Sequence, residues 1–462
     1  MPFMGAGTFV RPLALYPLGL LMPVLLYQIW TKRLTRPWNG TLTILLAFTL
    51  MALLSTAFGS LLAPIELRGV GFWDRALRTW ITLVIGLSFF LAAVWMNRDE
   101  GELKFSLKWL LAGLVLHIAW GGIQAVGLQM GLRGELNEIQ NLFSIRGLPR
   151  NRRIAGFAYE PSWLAGQLAA LYLPWLFASL LARYRLTKFK RLEIILLLGG
   201  LSILLLTYSR GGLFITMGAV ILTFIVSGVL KDVLNWYRAG FRREVDQGQW
   251  RRMQAAGGRI VLSLILISAV IGAGVFLADK GYIAALWNSS AESLWDYAID
   301  AYLGPRLAYV IAALDSFHSH PLTGVGLGAS GFTMYANMPD WALSGVPEIA
   351  RQMSPSSNLY PNPKNLYVRL LAETGLPGFL LYVSFLFTLL AYTLKGLRQA
   401  DPFWRFVGAA GFFSVAAIAA QGISQDSFAM PEMWVNLGML AGVIALKSEG
   451  VPRLSSRSPK GE

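Results

Sequence analysis

Arginines stand out among the residues that could do chemistry, because five of them cluster without a lysine between two apolar runs. Residues 131–155 contain Arg133, Arg146, Arg150, Arg152 and Arg153. A guanidinium presents a planar fork of donors that matches the oxygens of a phosphate group. We expect all of these arginines except Arg133 to bind an anionic substrate; the alternative is contact with lipid headgroups or with acids of another loop.

Two short motifs add charged residues next to apolar runs. GFAYEPSW places Glu160 just before one run, and TYSRGG places Arg210 in the turn between two others. Glycines at 211 and 212 allow the backbone to approach closely. Glu160 is a candidate general base, and the alternative is a buried ion pair with a neighbouring arginine. We expect Arg210 to act on the same anionic group as the arginine cluster.

A long interruption of the apolar pattern, residues 305–378, carries the remaining candidates. Its start, residues 306–318, predicts an amphipathic helix whose apolar face consists of Leu307, Val310, Ile311, Leu314 and His318. His318 and His320 are possible proton acceptors, but their i, i+2 spacing without further ligands is weak evidence for a metal site, and we predict none. The run GVGLGASG lacks the strand–turn–helix context of a nucleotide-binding loop and predicts a tight external turn.

The end of this interruption predicts a break before the next apolar run. Residues 365–374 have the pattern of a short helix, which Gly375, Pro377 and Gly378 should end. The third histidine, His117, lies inside an apolar run, where an ionisable group is either functional or a neutral imidazole bonded to a neighbouring helix. Histidine chemistry favours the neutral imidazole.

Composition defines the elements that must position these residues. The chain has 462 residues, 55% hydrophobic and 14% charged, with a mean hydropathy of +0.52, whereas soluble domains have roughly 25% charged residues. We predict an all-α polytopic membrane protein of about 11 helices, within a range of 10 to 12. The predicted spans are 12–30, 41–63, 76–96, 109–130, 156–182, 192–208, 211–230, 260–278, 377–394, 406–423 and 431–446.

The positions of the charges predict topology more than they predict a partner. The net charge of +15 falls mostly in short loops, so it indicates cytoplasmic loops and not nucleic-acid binding. Cysteine is absent, which excludes disulfides and thiolate metal sites. We predict a membrane region at 1–278 with a cytoplasmic loop at 231–259, a large outer loop at 279–376 with short helices, a second membrane region at 377–447, and a cytoplasmic tail at 448–462.

Several motifs together resemble the O-antigen ligase/O-antigen polymerase family of bacterial surface-polysaccharide assembly. The resemblance covers residues 156 to the end. It rests on three groups of residues: Tyr208-Ser209-Arg210-Gly211-Gly212; Arg306 followed by His320-Pro321-Leu322 and Gly324-x-Gly326-x-Gly328; and Asn365-Leu366-Tyr367 before Ala372-Glu373-Thr374-Gly375-Leu376-x-Gly378.

The resemblance implies a GT-C-like membrane glycosyltransferase in the bacterial inner membrane, with an active site facing the periplasm and no cofactor. Its donor would be a glycan on undecaprenyl pyrophosphate, held by Arg210 and Arg306, and a chain-length regulator is a possible partner. Catalytic residues would be Glu160, Arg210, Arg306 and His320; substrate would also contact His318, Lys364, Asn365, Tyr367 and Arg369.

One position departs from the ligase pattern. Ligases of this family usually have a histidine just before the Asn-x-Tyr element, and this chain has Lys364 there. Lysine is a fixed cation at neutral pH and a poorer base, so the resemblance favours a metal-independent, inverting polymerase. The alternatives are a ligase that transfers glycan to a lipid or protein, and a polysaccharide or lipid transporter. No internal repeat supports the transporter.

Overall fold

The computed structural model describes residues 15–33, 40–62, 66–144, 146–239, 303–357 and 359–448, together with isolated positions between 264 and 301. Over these residues the regular structure is helical, without strands, which confirms the all-α prediction. The helices are α1 Leu15–Trp30, α2 Gly40–Gly59, α3 Phe72–Met96, α4 Glu100–Gln129, α5 Arg133–Gln140, α6 Pro161–Gln167, α7 Leu173–Leu181, α8 Lys190–Leu206, α9 Arg210–Ser227, α10 Val229–Ala239, α11 Gly304–Ser319, α12 Ser330–Ala336, α13 Asp340–Gly345, α14 Pro347–Met353, α15 Leu366–Leu397, α16 Pro402–Gln421 and α17 Pro431–Ser448.

Seven helical segments within the described residues are long and apolar enough to cross a membrane. They are α2, α3, α4, the continuous segment Pro161–Leu181, α9, α15 and α16, and α1 is a shorter apolar helix. The protein is therefore a polytopic membrane protein. A helix also occupies each predicted span except the one at 260–278. Apart from isolated positions, that span lies outside the described residues, along with most of the loop 231–259 and nearly all of the tail.

Large aromatic side chains fill the core between the long helices. Helix α17 packs along α3, and α15 packs against both α16 and α2. Phe90 contacts Phe385 and Trp434 edge to face, with ring centroids 5.8 and 6.5 Å apart. Such pairs add roughly 0.5–1.5 kcal/mol beyond the area they bury. This aromatic core fixes the helices whose ends carry the candidate site residues.

A short π-helical segment, Leu168–Tyr172, joins α6 to α7 and is tied to α17. A π-turn shifts the backbone ladder and leaves a carbonyl in need of a donor. The side-chain amide of Asn436 donates to the carbonyl of Ala170, and its Oδ1 accepts the indole N–H of Trp175 at 2.9 Å. Asn436 is fully buried. One polar side chain on α17 thus satisfies the irregular backbone behind the candidate site.

Helix α11 is present where the sequence predicts a helix, but the predicted buried face is wrong. Ala308, Ala312 and Ser316 are buried, whereas Ile311 of the predicted apolar face is 36% exposed and His318 is exposed. Helix α11 packs on α15, and its small residues Ala308 and Ala312 share a core cluster with Ala372 of α15. Small side chains at i, i+4 and i+8 let two helices approach closely, which outweighs the larger apolar area of the other face.

The glycine run after α11 adopts turns, as predicted, but it is buried and not external. Gly324, Gly326 and Gly328 have φ values of +65°, +99° and +87°, a region that L-residues rarely adopt. A Cβ on Gly324 would lie 2.4 Å from the backbone of Glu373, and one on Gly328 would lie 2.4 Å from the hydroxyl of Thr79. The run is therefore a packing seam between α3 and α15, and glycine is needed for space as well as for conformation.

The predicted break at Gly375 occurs inside α15. Gly375 has φ +66° and ψ −176°, so the helical segments on its two sides are separated by one non-helical residue. The amide of Leu376 donates to the carbonyl of Pro321 at 2.8 Å, which satisfies a donor that the break frees. The first part of α15 can therefore present side chains to the candidate site at a different angle from the long apolar part.

Candidate active site

A cavity of about 1040 Å³ lies where the ends of α6, α9, α11 and α15 meet. Its charged lining consists of Arg75, Arg153, Glu160, Arg210, Arg306, Glu348, Lys364, Arg369, Glu373 and Asp426. Six cations face four carboxylates, so the lining has a formal excess of two positive charges. A cavity of this size and sign suits an anionic ligand larger than a single phosphate.

The two arginines expected to hold a pyrophosphate both line this cavity from helix starts. Arg210 is the first residue of α9, whose N-cap Ser209 accepts the amide of Gly212 at 3.3 Å. The Arg210 guanidinium donates to the carbonyl of Ala301 at 3.0 Å. Arg306, in the first turn of α11, donates to the carbonyl of Ser424 at 2.8 Å. Helix starts favour anions, so both side chains stand where the backbone also attracts negative charge.

The arginine cluster divides into residues at the cavity and residues away from it. Arg153 lines the cavity and donates to the carbonyl of Thr207 at 2.8 Å. Arg146 reaches the cavity wall through an ion pair with Glu160. Arg150 is exposed, and Arg152 donates to Gln129 Oε1 at 3.1 Å; neither lines the cavity. The expectation of substrate contact thus gains support from geometry for Arg153 and Arg146.

A buried amide, Gln124 of α4, fixes the end of this arginine loop. Its Oε1 accepts the amides of Ala155 and Gly156 at 3.1 and 2.8 Å, and its Nε2 donates to Gln140 Oε1 at 3.0 Å. Gln124 and Gln140 are both fully buried. The satisfied buried amide of Gln124 holds the loop in one arrangement, so Arg153 and Glu160 are positioned by α4 as well as by their own neighbours in sequence.

Glu160 is oriented by contacts on both carboxylate oxygens. Oε2 pairs with the guanidinium of Arg146, and Oε1 accepts the hydroxyl of Ser162. Glu160 is also the N-cap of α6, and its backbone carbonyl starts that helix. Its side chain is 26% exposed, so the ion pair considered in the sequence analysis is present but is not buried. A substrate hydroxyl that took the place of the Ser162 hydroxyl would therefore lie within hydrogen-bond distance of Oε1.

The Asn-x-Tyr element is mainly structural apart from its preceding lysine. Asn365 caps α15 by accepting the amides of Tyr367 and Val368 at 3.0 and 3.1 Å. The phenol of Tyr367 donates to the carbonyl of Ala419 at 2.6 Å. Neither Asn365 nor Tyr367 lines the cavity. Lys364 does line it; its backbone has φ +55° and its amide donates to Asp426 Oδ2 at 2.9 Å.

Arg369 and Glu373, one turn apart on α15, form an almost buried ion pair. Arg369 Nε lies 3.0 Å from Glu373 Oε2, and a further N–H of Arg369 donates to the carbonyl of Asp426. Glu373 Oε1 accepts the hydroxyl of Ser330 at 2.8 Å. Both carboxylate oxygens are thus occupied, and Arg369 contributes to a neutralised pair at the cavity wall.

The three histidines lie away from the cavity lining. His318 is exposed, and His320 ends α11 with an Nδ1 that finds no hydrogen-bond partner among the described residues. His117 is buried against the rings of Phe157 and Tyr172, with centroids 5.5 and 5.7 Å away. A proton-accepting role of His318 or His320 stays a prediction, and their placement does not favour it.

Two parts of the cavity wall escaped the sequence analysis. Asp426 lies 62 residues from Lys364 in the short link between α16 and α17, and nothing in the local sequence marks it. Arg75 resembled an ordinary loop charge, yet it lies over the ring of Tyr360, 3.8 Å from the centroid. Burial raises the pKa of Tyr360, so its phenol stays protonated at neutral pH.

The helices define a multi-pass membrane protein, and its charged cavity has a formal excess of positive charge. A family model described as O-antigen ligase matches residues 194–383, a segment that contains Arg210, Arg306, Lys364 and Arg369. This match confirms, over that segment, the resemblance drawn from the motifs. Enzymes of the O-antigen ligase/polymerase kind transfer glycosyl groups, and their substrates are lipid-linked glycans. No curated protein matches the chain.

Proposed function

We propose that the protein polymerises oligosaccharide repeat units carried on undecaprenyl pyrophosphate. The observation that supports this most directly is the convergence of Arg153, Arg210 and Arg306 with Glu160 on one cavity, although they come from separate parts of the chain. A pyrophosphate needs several cations, and a glycosyl transfer needs one proton acceptor near them. The active site would face the periplasm, in the inner membrane.

The reaction would be an in-line displacement at the anomeric carbon of the donor glycan. A hydroxyl of the incoming unit attacks that carbon while the bond from carbon to the pyrophosphate oxygen breaks, and undecaprenyl pyrophosphate leaves with the bonding electrons. Arg210 and Arg306 would stabilise the charge that develops on the leaving oxygen. Attack from the opposite side inverts the anomeric configuration. Pyrophosphate is a good leaving group, so this chemistry needs no metal.

Glu160 would take the proton of the attacking hydroxyl. Its Oε1 already accepts a hydrogen bond from Ser162, which is the geometry a bound sugar hydroxyl would adopt after displacing that contact. Arg146 would hold the other oxygen and keep the carboxylate aimed at the cavity. The proton leaves with Glu160 and returns to solvent after the glycan chain moves on.

A polymerase is favoured over a ligase by the residues at two positions. The ligase histidine is replaced by Lys364, which lines the cavity as a cation. The arginine loop that supplies Arg153 and the partner of Glu160 precedes the segment that matches the ligase model. The ligase remains the second candidate because that model match covers the two pyrophosphate arginines.

The test is an assay with the purified protein in nanodiscs and the host's undecaprenyl-pyrophosphate repeat unit as the sole substrate. A ladder of products with release of undecaprenyl pyrophosphate is the expected result. Transfer that begins only after a lipid or protein acceptor is added would establish a ligase instead. If the substrate binds and neither reaction occurs, the transporter hypothesis replaces both. The need for a chain-length regulator can be read from the ladder with and without that protein.

A further inference from the structure

Arg75 is a cation at the cavity wall that lies near the carboxylate of Glu373 but is not paired with it. It forms no ion pair within the described part of the chain, where the four ion pairs involve other residues. Its Nε is buried without a hydrogen-bond acceptor there. Both oxygens of Glu373, a neighbouring carboxylate, are occupied by Arg369 and Ser330. An unpaired, partly desolvated guanidinium lowers the free energy of unfolding. Its presence at a cavity wall therefore suggests that it has a function there.

The surroundings of Arg75 support the guanidinium without neutralising it. The ring of Tyr360 lies 3.8 Å from the guanidinium carbon, a cation–π contact that compensates some of the lost hydration. Glu373 and Arg369 both act on Arg75 electrostatically, with opposite signs. Arg75, Arg369 and Glu373 together carry one formal positive charge, and the carboxylate of Asp426 also acts on Arg369. This group lines the same cavity as Arg210 and Arg306 but is built from α3, α15 and the segment containing Tyr360.

We propose that Arg75, supported by Tyr360, forms a second oxyanion subsite in the cavity, separate from the pyrophosphate position at Arg210 and Arg306. The assignment rests on the proposed function only in taking the cavity as the substrate site. The ligand chemistry is a carboxylate or a phosphoryl group, since the guanidinium edge matches either. Two sources have this chemistry: an acidic sugar of the glycan, and the pyrophosphate of a second lipid-linked substrate.

The test uses Arg75→Gln in the full-length protein in nanodiscs, with dissociation constants for three probes: undecaprenyl pyrophosphate, a glucuronate-terminated disaccharide and its neutral glucose counterpart. We expect the variant to weaken at least one anionic probe by about tenfold or more, as loss of a charge-assisted contact does, and to leave the neutral probe unchanged. Loss confined to the glucuronate probe assigns an acidic sugar; loss confined to the lipid probe assigns a second pyrophosphate.

Arg78 provides the matched control. It lies one turn further along α3, is exposed and does not line the cavity, so Arg78→Gln removes the same charge without touching the subsite. Binding of both anionic probes within twofold of wild type in Arg75→Gln overturns the proposal, as does the absence of any difference from Arg78→Gln. Tyr360→Leu, which keeps Arg75 but removes its ring, should weaken the same probe and serves as the second variant.

Stability distinguishes a binding role from a structural one. If Arg75 is held as an unpaired cation for a ligand, Arg75→Gln should leave the Tm of the ligand-free protein unchanged or raise it, while the ligand-induced rise in Tm is lost. A structural role predicts a lower Tm instead and would overturn the assignment. Failure of the proposed function is a separate outcome, because it would appear as unchanged affinity for undecaprenyl pyrophosphate in Arg210→Ala.

Discussion

At the scale of single residues, Glu160 and Arg146 offer a direct test of which group does chemistry. If Glu160 takes the proton, Glu160→Gln should lower kcat by about 10² to 10⁴, since a positioned general base contributes that much. Arg146→Gln removes only the orienting contact and should cost less, on the order of tenfold. Turnover of purified variants under saturating substrate measures both. Equal losses in the two variants would mean that the ion pair, and not the carboxylate, is what activity needs.

Arg210 should depend on the shape of its side chain as well as on its charge. Arg210→Lys keeps the charge but loses the planar fork, and it cannot reach the carbonyl of Ala301 and a phosphate oxygen together. We expect kcat to fall about 10²-fold, close to the effect of losing one transition-state donor. The variant should purify with an unchanged elution profile. Near-normal polymer length in this variant would remove Arg210 from the leaving-group site.

At the scale of elements, the contact between α9 and α6 sets the position of Arg210. A Cβ on Gly212 would lie 2.4 Å from the Cβ of Ala165, whereas the nearest atom to a Cβ on Gly211 is 4.0 Å away. Gly212→Ala should therefore destabilise the protein by about 1–3 kcal/mol through overpacking, with a lower Tm. Gly211→Ala is the matched control and should keep its Tm. Equal Tm values for the two variants would show that α6 and α9 can move apart to accommodate the added methyl group without a loss of stability.

Elements were predictable from sequence where one local signal decides the outcome. Apolar length placed a helix at each described span, and Gly375 marked a break that the structure shows. The buried face of α11 was not predictable in this way, because periodicity favours the larger side chains of one face. Contact with α15 selects the small residues Ala308 and Ala312 instead, and that choice depends on a helix more than 50 residues away.

The candidate site was predictable in part for the same physical reason. Arg210 and Arg306 stand at helix starts in recognisable motifs, so their side chains could be anticipated and do line the cavity. Asp426 and Arg75 have no local motif. Arg75 reaches the cavity because the glycine run joins α3 to α15, and Asp426 reaches it because it accepts the amide of Lys364. Charge pairing across such distances in sequence is set by packing, which residue patterns do not encode locally.

At the scale of the whole molecule, the proposed function needs one particular orientation of the cavity in the membrane. Substrates on undecaprenyl pyrophosphate reach the site from the periplasm only if the arginine loop and the helices α11 to α14 lie on that side. The positive-inside rule places the basic link between α7 and α8 on the opposite side. The exposed residues Arg150 and Ser344 should therefore face the periplasm, and exposed Lys188 the cytoplasm.

The chain has no cysteine, so single cysteines can report this orientation without prior engineering. We expect Arg150→Cys and Ser344→Cys to react with a membrane-impermeant maleimide in intact spheroplasts, and Lys188→Cys to react only after permeabilisation. Labelling of Arg150→Cys from the outside would place the arginine cluster on the periplasmic side, as an exception to the positive-inside rule. Labelling of Lys188→Cys in intact cells would invert the topology and place the cavity on the side where polymerisation on undecaprenyl pyrophosphate cannot use it.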